Sequence, residues 1–238
     1  MTTPPGAPAA TVGVRGPAAP RTYVLRRGRM GPRSRAALGE LWPRFGVDLP
    51  PDGGELDLPT IFGRRARVAL EVGFGMGEAT VAAARADPDT DLLAVDVHTP
   101  GVAALLRGLA AGGLDHVRVA EADAREVLAR LPAASLDEVR VWFPDPWPKV
   151  RHHKRRLVTP EFAATVADRL RPGGRVHLAT DHEEYAAQML AVVAGEHRLV
   201  NEHGGYAPGP TGRPTTRFER HGLGRGHRIR DVVVCRPT

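Results

Sequence analysis

The chain has 238 residues, 42% of them hydrophobic, and a formal charge of +6. That length suits one α/β domain with a real core, and its apolar runs are broken by charge or glycine well short of the roughly 20 residues a bilayer crossing needs. The single cysteine, Cys235, excludes an internal disulfide framework and a Cys-based zinc site. With no basic-then-apolar secretory leader, the expected compartment is a reducing cytoplasm.

The charge is unevenly spread. Residues 20–47 carry seven arginines against one acid, 149–156 carry five Lys/Arg and no acid, and 213–230 carry six arginines against one acid. The rest of the chain is therefore acidic. Three cationic patches on an acidic body suit a partner bound through phosphates with counterion release. Of 33 basic residues only Lys149 and Lys154 are lysines, and both fall in the second patch, where a compact point charge replaces a planar fork.

Residues 1–20 are rich in Pro, Ala and Gly without periodicity and read as a disordered tail. Residues 21–66 read as a basic arm, a short amphipathic helix carrying Leu38, Leu41, Trp42 and Phe45 at helical spacing, and a connection. From residue 67 to 238 the pattern becomes regular. Five apolar runs, Val68–Val72, Leu92–Val97, Val117–Ala120, Val139–Phe143 and Val176–Thr180, alternate with helical segments near 77–87, 99–112, 124–131, 160–171 and 182–195. Two later runs, His197–Asn201 and Val232–Cys235, supply further strands. The alternation predicts βαβ units, a mostly parallel sheet covered by helices on both faces, and a site beyond the carboxyl ends of the strands.

The residues after each run carry the chemistry. The first run leads into Glu71-Val-Gly73-Phe-Gly75-Met-Gly77, a turn that lets backbone approach a ligand. Glu71 would repel a pyrophosphate and attract a cationic amino-acid moiety. The G-x-G-x-G spacing also departs from the dinucleotide G-x-G-x-x-G, which favours S-adenosylmethionine over NAD. The second run ends at Asp96, placed to accept from ribose hydroxyls. Asp123, after the third, is set either to meet an adenine amino group or to cap the following helix. The fourth delivers Phe143-Pro144-Asp145-Pro146-Trp147-Pro148-Lys149, where two prolines fix the backbone around one acid. Behind it run Arg151, His152, His153, Lys154, Arg155 and Arg156. The fifth ends in Thr180-Asp181-His182, another acid at the sheet edge. No metal-ligand spacing appears among the ten histidines.

LEVGFGMGEAT (70–80), DVHTPGV (96–102), FPDPWPKVRHHKRRLV (143–158), ATDHEEYA (179–186) and RPTTRFERHGLGRGH (213–227), in that order, resemble the motifs of bacterial tRNA (guanine-N7)-methyltransferases. The resemblance covers roughly 22–235, and the Pro-Asp-Pro-Trp block is its most specific part. It implies a Rossmann-like class I methyltransferase fold with a seven-stranded sheet, S-adenosylmethionine as cofactor, and tRNA as substrate, methylated at the variable-loop guanine of position forty-six. It implies that Glu71, Gly73, Gly75, Asp96, Asp123 and Asp145 line the cofactor site, with Asp145 also the active-site residue. Lys149, Asp181, Thr216, Arg217, Phe218 and Glu219 go with the substrate, and Arg151 to Arg156 with RNA. The chain departs from the family pattern at Asp96, where Glu is common, and at Arg230, where a tryptophan usually precedes the aspartate. Two rivals remain on the residues alone: an NAD-dependent oxidoreductase on the same sheet, and a tRNA-binding protein without transfer activity. Monomer and homodimer are equally compatible with the sequence.

Overall fold

The computed structural model describes residues 20–23, 30–209 and 211–238. Apart from Pro20, the expected disordered tail lies outside the described residues, as do residues 24–29 of the basic arm. Each of the five apolar runs forms a strand: β1 (Arg67–Val72), β2 (Thr90–Asp96), β3 (Val117–Glu121), β4 (Leu136–Trp142) and β5 (Leu170–Thr180). The two later runs give β6 (Val200–Asn201) and β7 (Arg230–Cys235). The sheet order is β3-β2-β1-β4-β5-β7-β6. β1 to β5 pair in parallel, and β7 runs antiparallel to β5 and β6. The order reverses between β1 and β4, so the crevice at a topological switch point lies beyond their carboxyl ends.

Side-chain alternation explains the two-sided core. Val68, Leu70 and Val72 of β1 join one cluster with Phe162, Val166, Tyr185 and Met189. These come from helices α6 (Pro160–Arg169) and α7 (Glu183–Ala194); α2 (Leu58–Phe62) and α5 (Ala124–Arg130) cover the same face. Ala69 faces the opposite cluster, with Leu105, Leu106 and Leu109 of α4 (Thr99–Gly112), Ala84 of α3 (Glu78–Ala86) and Phe45 of α1 (Pro32–Phe45). Each such fully buried leucine stabilises the fold by about 2 kcal/mol. Glu71 shares the Ala69 face, so the strand carries a carboxylate into the apolar layer under α3.

The structure extends the expected amphipathic helix toward the N-terminus, to Pro32, a residue suited to a first helical turn. The fourth strand begins three residues before the expected run and ends one residue earlier: Phe143 leaves β4 because its φ is 56°. The structure also adds two helices the hydrophobic pattern did not reveal, α2 within the expected connection and α8 (Arg217–Leu223).

Candidate active site

Beyond β1 the chain turns through Gly73, Gly75 and Gly77 at φ 79°, 60° and 80°, values that favour glycine. Their surroundings separate their roles. A Cβ on Gly73 would meet nothing within 4 Å, whereas one on Gly77 would come 2.8 Å from the Leu105 side chain of α4. Gly73 faces open space; Gly77 permits close packing. Gly101, on α4, completes the turn from the other side, since a Cβ there would lie 1.9 Å from the Gly75 carbonyl oxygen. Sequence reading gave Gly101 no role, because its partner lies 26 positions away in the chain. The Asp96 carboxylate braces the same turn: it accepts the Gly75 N–H at 2.8 Å on one oxygen and the His98 N–H at 2.9 Å on the other. Burial raises its pKa, opposed by those amides.

Glu71 is 3% exposed. The Thr80 hydroxyl donates to its Oε1 at 2.9 Å, and Oε2 is buried with no hydrogen-bond partner among the described residues. Desolvation pushes the carboxyl up to about 7, against the pull of Arg140, its cross-strand partner on β4. An under-satisfied acid beside the glycine turn fits a ligand that brings a positive charge.

At the end of β4, Phe143 and Trp147 hold φ of 56° and 45°. Two strained non-glycine residues around Pro144-Asp145-Pro146 mark a turn over-determined by its surroundings. Phe143 N–H still donates to the Ala179 carbonyl at 2.7 Å, which ties the turn to β5. The Asp145 side chain stands exposed at this edge. The Trp147 indole N–H donates to the Thr22 carbonyl at 3.0 Å, and the Arg155 guanidinium lies 4.8 Å from its ring centroid. His152 meets the same indole edge-on at 5.8 Å. The basic run forms a 3-10 helix, Val150–Arg155. On it His152 is held below its ordinary pKa by desolvation and by Arg151, Arg155, Lys149 and Lys154.

At the end of β5, His182 rather than Asp181 caps α7, accepting from the Tyr185 N–H. Asp181 is left to pair with His227, whose Nδ1 lies 2.9 Å from Oδ2. The same carboxylate packs on Gly222 of α8, where a Cβ would come within 2.9 Å. Thr216 and Glu219 form a capping box at the start of α8. This leaves Phe218 exposed, its ring 3.7 Å from where a Cβ on Gly75 would sit. Arg220 reaches Glu78 at 3.0 Å, joining α8 to α3.

A family profile described as "Putative methyltransferase" matches residues 65–232. Over 219 residues the chain is 52% identical to the tRNA (guanine-N(7)-)-methyltransferase of Streptomyces avermitilis, covering 91% of this chain and 75% of that protein. The chain belongs to the tRNA (guanine-N(7)-)-methyltransferase family. A second relative in the family, from Nitrosospira multiformis, is 50% identical over 90% of this chain and 93% of its own length. Among solved structures, the 16S rRNA (adenine(1408)-N(1))-methyltransferase from Catenulisporales acidiphilia superimposes with a TM-score of 0.52 at 16% identity, over 81% of this chain and 95% of that one. The aminoglycoside resistance methyltransferase NpmB1 gives 0.51 at 16%, over 80% and 95%. These likenesses show the Rossmann-like α/β fold of class I methyltransferases.

The family motifs converge unevenly on the site. Gly75, Asp96 and Phe218 come together, and Asp181 meets α8. Asp123 does cap α5, accepting the Arg125 N–H at 2.9 Å, and also pairs with the Arg125 guanidinium. Arg156 departs from the expected RNA-facing run, because its side chain is 1% exposed. Its guanidinium donates to the Pro146 carbonyl at 2.8 Å and to Gln188 at 2.6 Å, and lies over the Tyr185 ring. It locks the Asp145 turn onto α7 and presents no surface to a nucleic acid. His153 is drawn in beside it, its Nε2 3.0 Å from Arg156 Nη2. Arg151 and Lys154 remain exposed. Glu219, expected at the substrate, gives both oxygens to Arg213.

Proposed function

We propose that this protein transfers the methyl group of S-adenosylmethionine to N7 of a tRNA guanine, the variable-loop guanine of position forty-six. Beyond family membership, one juxtaposition carries the reading: a rigid acid-bearing turn, a glycine turn with an under-satisfied buried carboxylate, and an exposed basic 3-10 helix share one sheet edge. In this reading residues 67–238 form the methyltransferase domain and residues 21–66 its basic arm, first helix and connection. No helix among the described residues is long and apolar enough to cross a membrane, and a tRNA substrate goes with a cytoplasmic location.

Glu71, Gly73, Gly75 and Asp96 are the residues that would hold the cofactor, with Asp123 at the adenine end. The orphaned Glu71 Oε2 and the open space before Gly73 suit a ligand with a cationic amino group. When bound, S-adenosylmethionine supplies an electrophilic methyl group on a sulfonium. Guanine N7 has an in-plane lone pair, so no residue need remove a proton before attack. The work left to the chain is alignment and stabilisation of the positive charge that develops on the methylated base. Asp145, held by the strained turn, is placed as a fixed negative charge for that cation. Asp181 stands as the second carboxylate of the edge. Lys149, Arg151, Lys154 and Arg155 are placed to hold flanking phosphates, and Phe218 offers an aromatic face to a base.

Incubation with unmodified tRNA and methyl-labelled S-adenosylmethionine tests the reading. Label in tRNA is the expected outcome, with NAD, added in excess, leaving the rate unchanged. Displacement of S-adenosylmethionine by NAD would favour the oxidoreductase, and tight tRNA binding without label would favour the inactive binder. Arg155→Ala is expected to weaken tRNA binding and to reduce the slope of log affinity against log salt by about one. An unchanged slope would remove Arg155 from the RNA contact.

A further inference from the structure

We infer that Arg213 is a positioning residue that fixes α8 and the Asp145 turn relative to each other, and so sets the register of the substrate against the glycine turn. The inference rests on the proposed methyl transfer and extends it to a residue that touches neither substrate nor cofactor.

Arg213 is 5% exposed, and its guanidinium meets three separate parts of the site. It donates to Asp231 of β7, Nε to Oδ1 at 2.7 Å and Nη2 to Oδ2 at 3.3 Å. It donates to both oxygens of Glu219, the third residue of α8, with Nη2 to Oε1 at 3.1 Å. Its Cζ lies 5.4 Å from the ring centroid of Phe143. Phe143 is the strained residue two positions before Asp145. Asp231 is itself anchored to β5, its Oδ1 lying 2.8 Å from His177 Nε2, and Thr211 Oγ1 sits 2.9 Å from the same nitrogen.

These contacts have consequences for α8. A helix of seven residues is too short to hold itself, so its place depends on ties to the rest of the chain. Arg220 to Glu78 is an exposed pair, worth little. The Arg213 fork is the buried tie, and it grips the capping-box glutamate next to Phe218. Charge alone does not reproduce this arrangement, because a planar five-donor fork serves two carboxylates while an ammonium offers one point charge. A buried ion pair adds little stability over apolar packing of the same shape, whereas its geometry fixes which groups face one another.

The test is Arg213→Lys, with Asp231→Asn as a second variant that cuts the β7 anchor while leaving Glu219 and Arg213 in place. Each is measured for kcat and KM on tRNA, for S-adenosylmethionine affinity, for Tm, and for amide hydrogen exchange over residues 217–223. Arg213→Lys is expected to lower kcat/KM for tRNA by about thirtyfold or more, to leave cofactor affinity within about threefold, and to speed exchange in α8 at a temperature where the sheet amides stay protected. Asp231→Asn is expected to do the same to a smaller degree. A folded Arg213→Lys variant within about threefold of wild type in kcat/KM overturns the inference. Where Arg213→Lys does not fold, Asp231→Asn with normal kcat/KM and normal α8 protection overturns it. Loss of activity with α8 exchange unchanged also overturns it. Wild-type protein without any methyl transfer would instead sink the proposed function, a result distinct from all of these.

Discussion

Asp145→Asn is expected to lower kcat on tRNA by about a hundred- to a thousandfold while leaving S-adenosylmethionine affinity within about threefold. Asparagine keeps the shape of the side chain and the backbone demands of the turn, so Phe143 and Trp147 keep their positive φ. The charge is removed and one acceptor oxygen becomes an amide donor. Buffer rescue of the Asn variant separates the fixed-charge account from general-base catalysis. Both lose rate as the carboxylate protonates, but only the loss of a base is partly restored by exogenous buffer bases. A fixed charge lost to amide substitution is not restored by buffer. Near-normal turnover in the Asn variant would end both accounts of this residue.

Glu71→Gln should act in opposite directions on stability and on binding. The Glu71 carboxyl is raised from 4.5 to about 7 by burial. A raised acid stabilises the fold fully below its unfolded pKa, and that contribution is lost as pH climbs through the folded value. The loss amounts to about 3 kcal/mol across that interval. The cofactor-free wild type should therefore weaken, relative to Glu71→Gln, between about pH 4.5 and 8, and the variant should be the more stable of the two at the upper end. Its S-adenosylmethionine affinity should fall by about ten- to a hundredfold, the worth of a hydrogen bond to a charged group. Urea unfolding of both proteins across this range, with and without cofactor, reads both effects. Parallel stability curves would show that folding does not raise the Glu71 pKa.

Much of this was legible in the chain itself. The five apolar runs fell on β1 to β5 because a parallel sheet covered on both faces demands near-continuous β-branched and leucine stretches. The glycine turn and the proline-bracketed acid were visible as backbone chemistry. What the sequence hid was mostly a matter of long-range partners. α8 has no apolar periodicity, since its few contacts run through Gly222, Phe218 and Glu219, and only the Thr216-x-x-Glu219 box signalled it. Arg156 sits among five basic neighbours, and nothing local says that it alone turns inward to Pro146 and Gln188. Gly101 matters through a contact with Gly75 made only when α4 docks. Arg213 belongs to a motif whose other members drew attention first, while its partners Asp231 and Phe143 lie 18 and 70 positions away.

The most direct measurement is to locate the methyl group. A transcribed, unmodified tRNA is incubated with the protein and S-adenosylmethionine, reduced with borohydride and cleaved with aniline, which cuts the chain at N7-methylguanine. The account predicts one protein-dependent cut, in the variable loop, that Asp145→Asn all but abolishes. Methyl incorporation without an aniline-sensitive site, or no incorporation at all, would contradict it.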